Sequence, residues 1–257
     1  MSRVLGVIPA RLGSTRLPRK PLVPLLGTPL IAWVVERVGK MRTLDRVVVA
    51  TDSVEVVEGC AQRGMRAVLT DPEHPSGTDR VAEVGRMPEF EGFEVLVNIQ
   101  GDEPLIDPGH VAAAVELIVS GGWQLGTCAV PLRNAEELRD PSRVKVARAE
   151  GGRALYFSRA GIPFKRDGDP TPEDLGRGAF LRHLGLYSYR REALMRWVDL
   201  PPSPLEQLER LEQLRPLEAG MEMGVAIVDE AEGGVDTPAD VERMERRLRE
   251  LGESPRT

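Results

Sequence analysis

RVVVATDSVEVVEGCAQRG, residues 46–64, is a run of β-branched apolar residues followed at once by a helical pattern. Residues 46–50 have the length and branching of a strand, and residues 53–63 are helical in pattern up to the stop at Gly64. The VVVA run has no polar alternation, as expected of a strand buried on both faces of a parallel sheet. The strand–helix unit recurs on either side. Toward the N-terminus, residues 3–9 read as a short apolar strand and residues 10–27 as a loop. Thr28 is expected to cap a helix over 29–41, with Pro29 at its first position. Toward the C-terminus, 67–70 and 94–99 (with VLVNI) read as strands, and 78–86 and 108–120 as helices. This alternation predicts βαβ units on a mostly parallel sheet.

The rhythm changes after about residue 126. Segments 127–131, 144–149, 154–158 and 181–189 are strand-like, with Gly151-Gly152 expected as a hairpin turn. Residues 161–178, rich in Pro, Gly and charge, are expected as a long exposed loop. Ser203 with Glu206 forms a capping box for a helix carrying Leu205 to Leu214. A last strand is expected at 225–228 and a charged surface helix at 238–251.

With 257 residues, 41% hydrophobic and 29% charged, the chain has the make-up of a globular protein. Its 40 acidic against 34 basic side chains give a net charge of −6, which argues against a nucleic-acid partner. No apolar stretch approaches the length of a membrane span. Pro9 and Arg11 interrupt the N-terminal apolar run, so no signal peptide is expected and a cytoplasmic location follows. Cys60 and Cys128 are far apart and are expected to be buried reduced thiols.

Ligands of open α/β sheets bind at the carboxyl ends of the strands. The first strand ends in PARLGSTRLPRKPL, residues 9–22, which offers Arg11, Arg16, Arg19 and Lys20, the hydroxyls of Ser14 and Thr15, and Gly13. Cations, hydroxyls and backbone N–H groups in one loop suit a polyphosphate. Neither G-x-x-x-x-G-K-[ST] nor G-x-G-x-x-G occurs, which weakens the kinase, GTPase and dinucleotide readings. NIQGDEP, residues 98–104, places Asp102 after a strand, where a hard cation such as magnesium could take one carboxylate plus phosphate oxygens. Locally, Asp102 could equally be a turn residue. GVDTP, residues 234–238, supplies a second carboxylate: Thr237 can cap the last helix while Asp236 binds. SGTDR, residues 76–80, could admit a flat base or simply cap a helix.

IPARLGSTRLPRKPL, ATDS, HPSGTDR, VNIQGDEP, ALYFSRAGIPF, FLRHLGLYSYR, SPLEQLERLEQLR and GVDTPAD, in this order over about residues 3–245, resemble the 3-deoxy-manno-octulosonate (Kdo) cytidylyltransferases. The resemblance implies an α/β, nucleotide-diphospho-sugar-transferase-like (Rossmann-like) fold: one domain over 1–257, with a mixed, mostly parallel sheet and a smaller dimerisation lobe at about 127–190. It implies transfer of CMP from CTP to Kdo with release of pyrophosphate, in lipopolysaccharide biosynthesis, by a homodimer using Mg²⁺. Carried onto this chain, Ala10, Arg11 and Lys20 would hold the triphosphate, and Ser76, Gly77, Thr78 and Arg80 would surround cytosine and ribose. Asp102 and Asp236 would bind the metal. Gln100, Arg159, His183, Tyr187, Glu212 and Gln213 would line the sugar-acid pocket. Arg19 stands where the family often has a small residue, and could add a phosphate contact. A transferase for another sugar acid, or a non-catalytic nucleotide-sugar binder, remains open at this level.

Overall fold

A computed structural model describes residues 2–14 and 16–253. The chain divides into two compact units, one built from residues 3–108 with the segment from Glu232 onward, the other from Gly109–Ala231. The second unit extends well beyond the 127–190 lobe expected from the sequence.

The first unit opens with β1 (Val4–Pro9), β2 (Pro24–Leu25), β3 (Thr28–Pro29), α1 (Leu30–Val38), β4 (Arg46–Thr51), α2 (Val54–Ala61), β5 (Ala67–Leu69), α3 (Gly77–Arg86) and β6 (Val95–Asn98). Strands β6, β1, β4 and β5 lie side by side in that order, all parallel. Val48, Val49, Leu96 and Val97 are fully buried, as unalternating apolar strands require.

Thr28 is not the expected helix cap. It pairs with Leu25 in the two-stranded ribbon β2–β3, and α1 starts at Leu30 with no side-chain cap. The tight connection puts Leu26 and Gly27 at positive φ, the backbone of a primed hairpin turn, which holds Thr28 extended. The helix ends at Val38, short of residue 41.

The second unit contains α4 (Pro108–Val119, starting at the boundary), β7 (Leu125–Pro131), α5 (Ala135–Arg139), β8 (Lys145–Arg148), β9 (Ala154–Ser158), α6 (Pro172–Gly176), β10 (Leu181–Arg190), α7 (Arg191–Asp199), α8 (Pro204–Glu209), α9 (Leu214–Glu218) and β11 (Met223–Ile227). Strand β7 is parallel to β11 and antiparallel to β10; β8 is antiparallel to both β10 and β9. The β8–β9 hairpin turns through Gly152 at φ 95°.

Two sequence expectations fail here, and two helices were not foreseen. The 161–178 segment contains α6, whose capping box joins Thr171 to Asp174 and whose Leu175 is buried with Leu132, Leu138 and Phe180. One leucine thus anchors a segment whose composition reads as loop. The helix expected through Leu214 stops at Arg210, which adopts a left-handed conformation at φ 52°, and resumes as α9. Helices α5 and α7 fall in stretches given no element, α7 burying Ala193, Leu194 and Trp197. The Ser203–Glu206 capping box forms as expected.

Returning to the first unit, α10 (Pro238–Glu250) is capped by Thr237. It is not only a charged surface helix. Met244 and Leu248 are fully buried with Leu17, Leu25, Leu30, Trp33, Leu105 and Val235. Both cysteines are reduced and buried, at 2% and 0% exposure; burial pushes the Cys60 thiol to about 11 and the Cys128 thiol to about 12. No helix among the described residues is long and apolar enough to cross a membrane.

Candidate active site

The carboxyl ends of β1 and β6 and the N-terminus of α3 surround a cavity of about 600 Å³ in the first unit. Its lining includes Ala10, Arg11, Arg16 and Lys20 from the loop after β1. Ser76, Gly77 and Arg80 come from the start of α3, Gln100 and Asp102 follow β6, and Asp236 precedes α10.

The loop after β1 is tied to its neighbours by main-chain bonds. Ala10 N–H donates to Ala50 C=O at 2.8 Å, and Leu12 N–H donates to Asp52 Oδ1 at 3.3 Å. Further on, Leu17 enters the apolar cluster with α1 and α10. Lys20 follows in a short 3₁₀ turn, Lys20–Leu22. Val235 N–H donates to Asp102 C=O at 2.9 Å, and the Val235 side chain is fully buried in that cluster. Burying one such side chain stabilises the fold by about 1.5–3 kcal/mol. Asp236 is thereby delivered to Asp102 and Lys20, 216 positions from the lysine.

Lys20 Nζ donates to Asp102 Oδ2, and to Asp236 Oδ1 at 2.9 Å; Arg16 meets the same Asp236 oxygen at 3.1 Å. Burial alone pulls the Lys20 pKa down, but the charge and hydrogen bonds of Asp102 and Asp236 outweigh it and hold the ammonium above its ordinary range. It is a fixed cation at neutral pH.

At the other wall, Ser76 caps α3, accepting from Thr78 N–H at 3.1 Å and Asp79 N–H at 3.3 Å. The start of a helix favours an anion. Arg80 is 2% exposed, donates to Thr70 Oγ1 and faces Asp52 at 3.5 Å. Thr78 departs from its expected place: at 1% exposure it lies on the inward face of α3 with Val81 and Ala82 and is not in the cavity wall. Arg19 departs as well. Its backbone is left-handed, its guanidinium pairs with Glu55 on α2, and it does not line the cavity. Thr15 lies outside the described residues. Two residues at this site were given no role from the sequence. Asp52 joins the β1 loop to Arg80, and His74, bonded to Glu83 at 2.6 Å, lines the cavity; both lie in family-like segments, ATDS and HPSGTDR, which were the available hint.

Gly101 makes the close packing of β6 against β1 possible. A Cβ there would lie 2.7 Å from Pro9 C=O, a main-chain atom that cannot rotate away. Gly101→Ala is expected to cost about 1–3 kcal/mol of stability and to raise KM for the nucleotide, measured by urea unfolding and initial rates. Unchanged values in both assays would show that the strand ends tolerate separation.

Gln100 is in the first unit; Arg159, His183, Tyr187, Glu212 and Gln213 are in the second. In β10 two residues, 185 and 186, bulge between the pairs Leu184–Cys128 and Tyr187–Thr127. Around this bulge His183 and Tyr187 have ring centroids 5.3 Å apart, and Phe157 meets His183 edge-on at 4.9 Å. Thr127 Oγ1 donates to Leu186 C=O at 2.8 Å, which leaves His183 Nε2, 2.9 Å away, to donate to the hydroxyl. Burial, then Arg182, pushes the His183 pKa down to about 3, so this imidazole is neutral. Burial foremost, with the charge of Glu212 next, holds the Tyr187 phenol well above its usual range. Gln213 is buried at 3% exposure. Arg159 lies in a different network, its guanidinium donating to the main-chain carbonyls of Glu209 at 2.8 Å, Pro141 at 3.1 Å and Arg210 at 3.4 Å.

The neutral His183 makes stability pH-dependent. In the unfolded chain the imidazole titrates near 6.5, so below that pH the unfolded state takes up a proton that the folded state refuses until about 3. Stability is expected to fall as pH drops through this window. His183→Gln should flatten the slope of unfolding free energy between pH 6.5 and 4 by up to ~1.4 kcal/mol per pH unit. An identical slope in the variant, followed by urea melts, would refute a neutral imidazole.

A parallel α/β unit with cations and one carboxylate beyond its strand ends, joined there by a second carboxylate from the start of α10, defines a nucleotidyltransferase-type site. Sequence and structure comparisons agree with that class. A cytidylyltransferase family profile matches residues 5–223. The 3-deoxy-manno-octulosonate cytidylyltransferase of Gemmatimonas aurantiaca is 52% identical over 93% of this chain and 92% of its own length. That of Syntrophobacter fumaroxidans is 46% identical over 94% and 95%. Among solved structures, a CMP:2-keto-3-deoxy-manno-octonic acid synthetase complexed with CTP superposes with a TM-score of 0.89 at 37% identity, covering 97% of this chain and all of that one. The chain belongs to the 3-deoxy-manno-octulosonate cytidylyltransferase family, and it is a nucleotidyltransferase with the family's mixed α/β fold.

Proposed function

We propose that this protein transfers CMP from CTP to the anomeric hydroxyl of Kdo, giving CMP-Kdo and pyrophosphate for lipopolysaccharide biosynthesis. The observation that carries the reading is the meeting of Lys20, Arg16, Asp102 and Asp236 in one cavity, in a chain similar over nearly its whole length to enzymes named for this reaction. The Kdo hydroxyl oxygen attacks the α-phosphorus as the bond to the β-phosphate oxygen breaks, the pair of electrons leaves with pyrophosphate, and the hydroxyl proton is released to solvent. No covalent enzyme intermediate is required. Arg11, Arg16 and Lys20 bind and orient the triphosphate and offset its charge.

Asp102 and Asp236 offer the hard oxygen donors that magnesium prefers, and both already embrace a cation, the Lys20 ammonium. Among the described residues no cluster of three or more His, Cys, Asp or Glu converges; a magnesium held here would share its shell with water and phosphate oxygens. Once bound, it supplies charge neutralisation for the phosphates and the departing pyrophosphate. Gln100, His183, Tyr187, Glu212, Gln213 and Arg159 are assigned to the sugar acid by family resemblance, and their donors and acceptors suit its carboxylate and hydroxyls. The same resemblance supports a homodimer.

Pyrophosphate release from CTP and Mg²⁺, measured with and without Kdo, tests the assignment. Release is expected only when Kdo is present. Absence of Kdo-dependent release, or faster release with another sugar acid, would overturn it.

A further inference from the structure

Arg159 is one side chain among several assigned to the sugar acid, yet most of its polar atoms are already spoken for within the second unit. Its main-chain N–H donates to Glu209 Oε2 at 2.9 Å, and the hydroxyl of the preceding Ser158 donates to Glu209 Oε1 at 2.6 Å. Its Nε donates back to Glu209 C=O at 2.8 Å. A single glutamate therefore engages the end of β9 through both carboxylate oxygens and its carbonyl. The Arg159 carbonyl is taken in turn by Lys145 Nζ at 2.7 Å, which also donates to Asp140 C=O at 2.8 Å. Lys145 is fully buried, and a buried ammonium is costly unless its donors are satisfied. Such a group fixes the carbonyls that satisfy it.

Glu209 is also the last residue of α8. The next residue, Arg210, turns the chain through a left-handed conformation, and its carbonyl accepts from Arg159 Nη2 at 3.4 Å. Glu212 and Gln213 follow directly. The bonds of Glu209 thus join two of the three second-unit segments assigned to the sugar acid, one carrying Arg159 and the other Glu212 and Gln213. A guanidinium has five donors. Three are used on the carbonyls of Glu209, Pro141 and Arg210, which fixes the plane of the guanidinium.

We propose that Glu209 is a positioning residue for the sugar-acid subsite, setting the orientation of Arg159 and of the 210–213 turn together. This rests on the sugar-acid role assigned to Arg159, Glu212 and Gln213 above. Glu209→Gln keeps the volume but loses the charge and one acceptor. It is expected to raise KM for Kdo about tenfold while KM for CTP stays within about twofold, since a hydrogen bond to a charged group is worth roughly one decade or more. The melting temperature should move by only a few degrees. Ser158→Ala removes a single bond to the same carboxylate and should raise KM for Kdo by a smaller factor, about threefold. It serves should Glu209→Gln not fold.

A purely structural glutamate would shift both KM values, or only the melting temperature, and either result overturns the proposal. The proposal and the reading beneath it separate through Arg159→Ala. If that variant raises KM for Kdo while Glu209→Gln and Ser158→Ala leave it unchanged, the positioning role falls and the subsite stands. If Arg159→Ala leaves KM for Kdo unchanged, the subsite assignment of Arg159 falls and the proposal with it.

Discussion

Asp102→Asn is expected to lower kcat by about 10²–10³-fold or more while the protein stays folded. The amide matches the carboxylate in shape, and the bond that anchors this position, Val235 N–H to Asp102 C=O, is main-chain and survives. What disappears is a negative charge that meets the Lys20 ammonium and is one of two carboxylates proposed to hold magnesium. The neighbouring Asp236 keeps its own bond to Lys20 at 2.9 Å, so the lysine is not stranded without an anion. Stability should therefore change little. Turnover would be followed by pyrophosphate release and folding by thermal melting; near-normal turnover in a well-folded variant would sink the metal assignment.

Lys20→Met is the second large effect. Lys20 is 15% exposed and sits between two carboxylates, so its removal leaves Asp102 and Asp236 facing each other with Arg16 as their remaining cation. The like charges disfavour the arrangement, and the triphosphate loses a fixed positive charge. Both KM for CTP and kcat should suffer, with kcat/KM down about 10³-fold. Lys20→Arg should recover only part of this, because a planar fork does not replace a compact ammonium bonded in two directions. A loss confined to KM would mean that Lys20 holds the ground-state nucleotide and contributes nothing extra as pyrophosphate departs.

Much of the fold was legible because its signals are local. The strand and helix expected at 46–50 and 53–63 form as Arg46–Thr51 and Val54–Ala61, and the caps at Ser203 and Thr237 form where side-chain oxygens can reach the next turn's N–H groups. Where local signals competed with distant packing, packing won. Thr28 is a good helix cap by type, but pairing with Leu25 uses the same residue in a strand. The leucines after Ser203 suggest one helix through 214, while the chain breaks at Arg210, whose carbonyl and that of Glu209 are held by Arg159, about fifty residues away. Lys145, of a residue type almost never fully buried unless paired, is fully buried here with its ammonium donating to two main-chain carbonyls.

The cation-rich loop after the first strand was visible in the sequence, as were the carboxylates at 102 and 236, because each sits at an element boundary that the pattern marks. What the sequence could not decide is which of these cations meets the carboxylates. Lys20 and Arg16 do, whereas Arg19, one residue from Lys20, turns to Glu55 because its backbone is left-handed. The sequence by itself determined the kinds of groups and the strand ends that carry them, since these depend on neighbours within a few residues. Only the tertiary structure decided their meeting, through Val235 buried under α1 and α10 and bonded to Asp102. Burial of apolar surface carries no sequence-distance limit, and so it can join positions 20, 102 and 236 where no local pattern could.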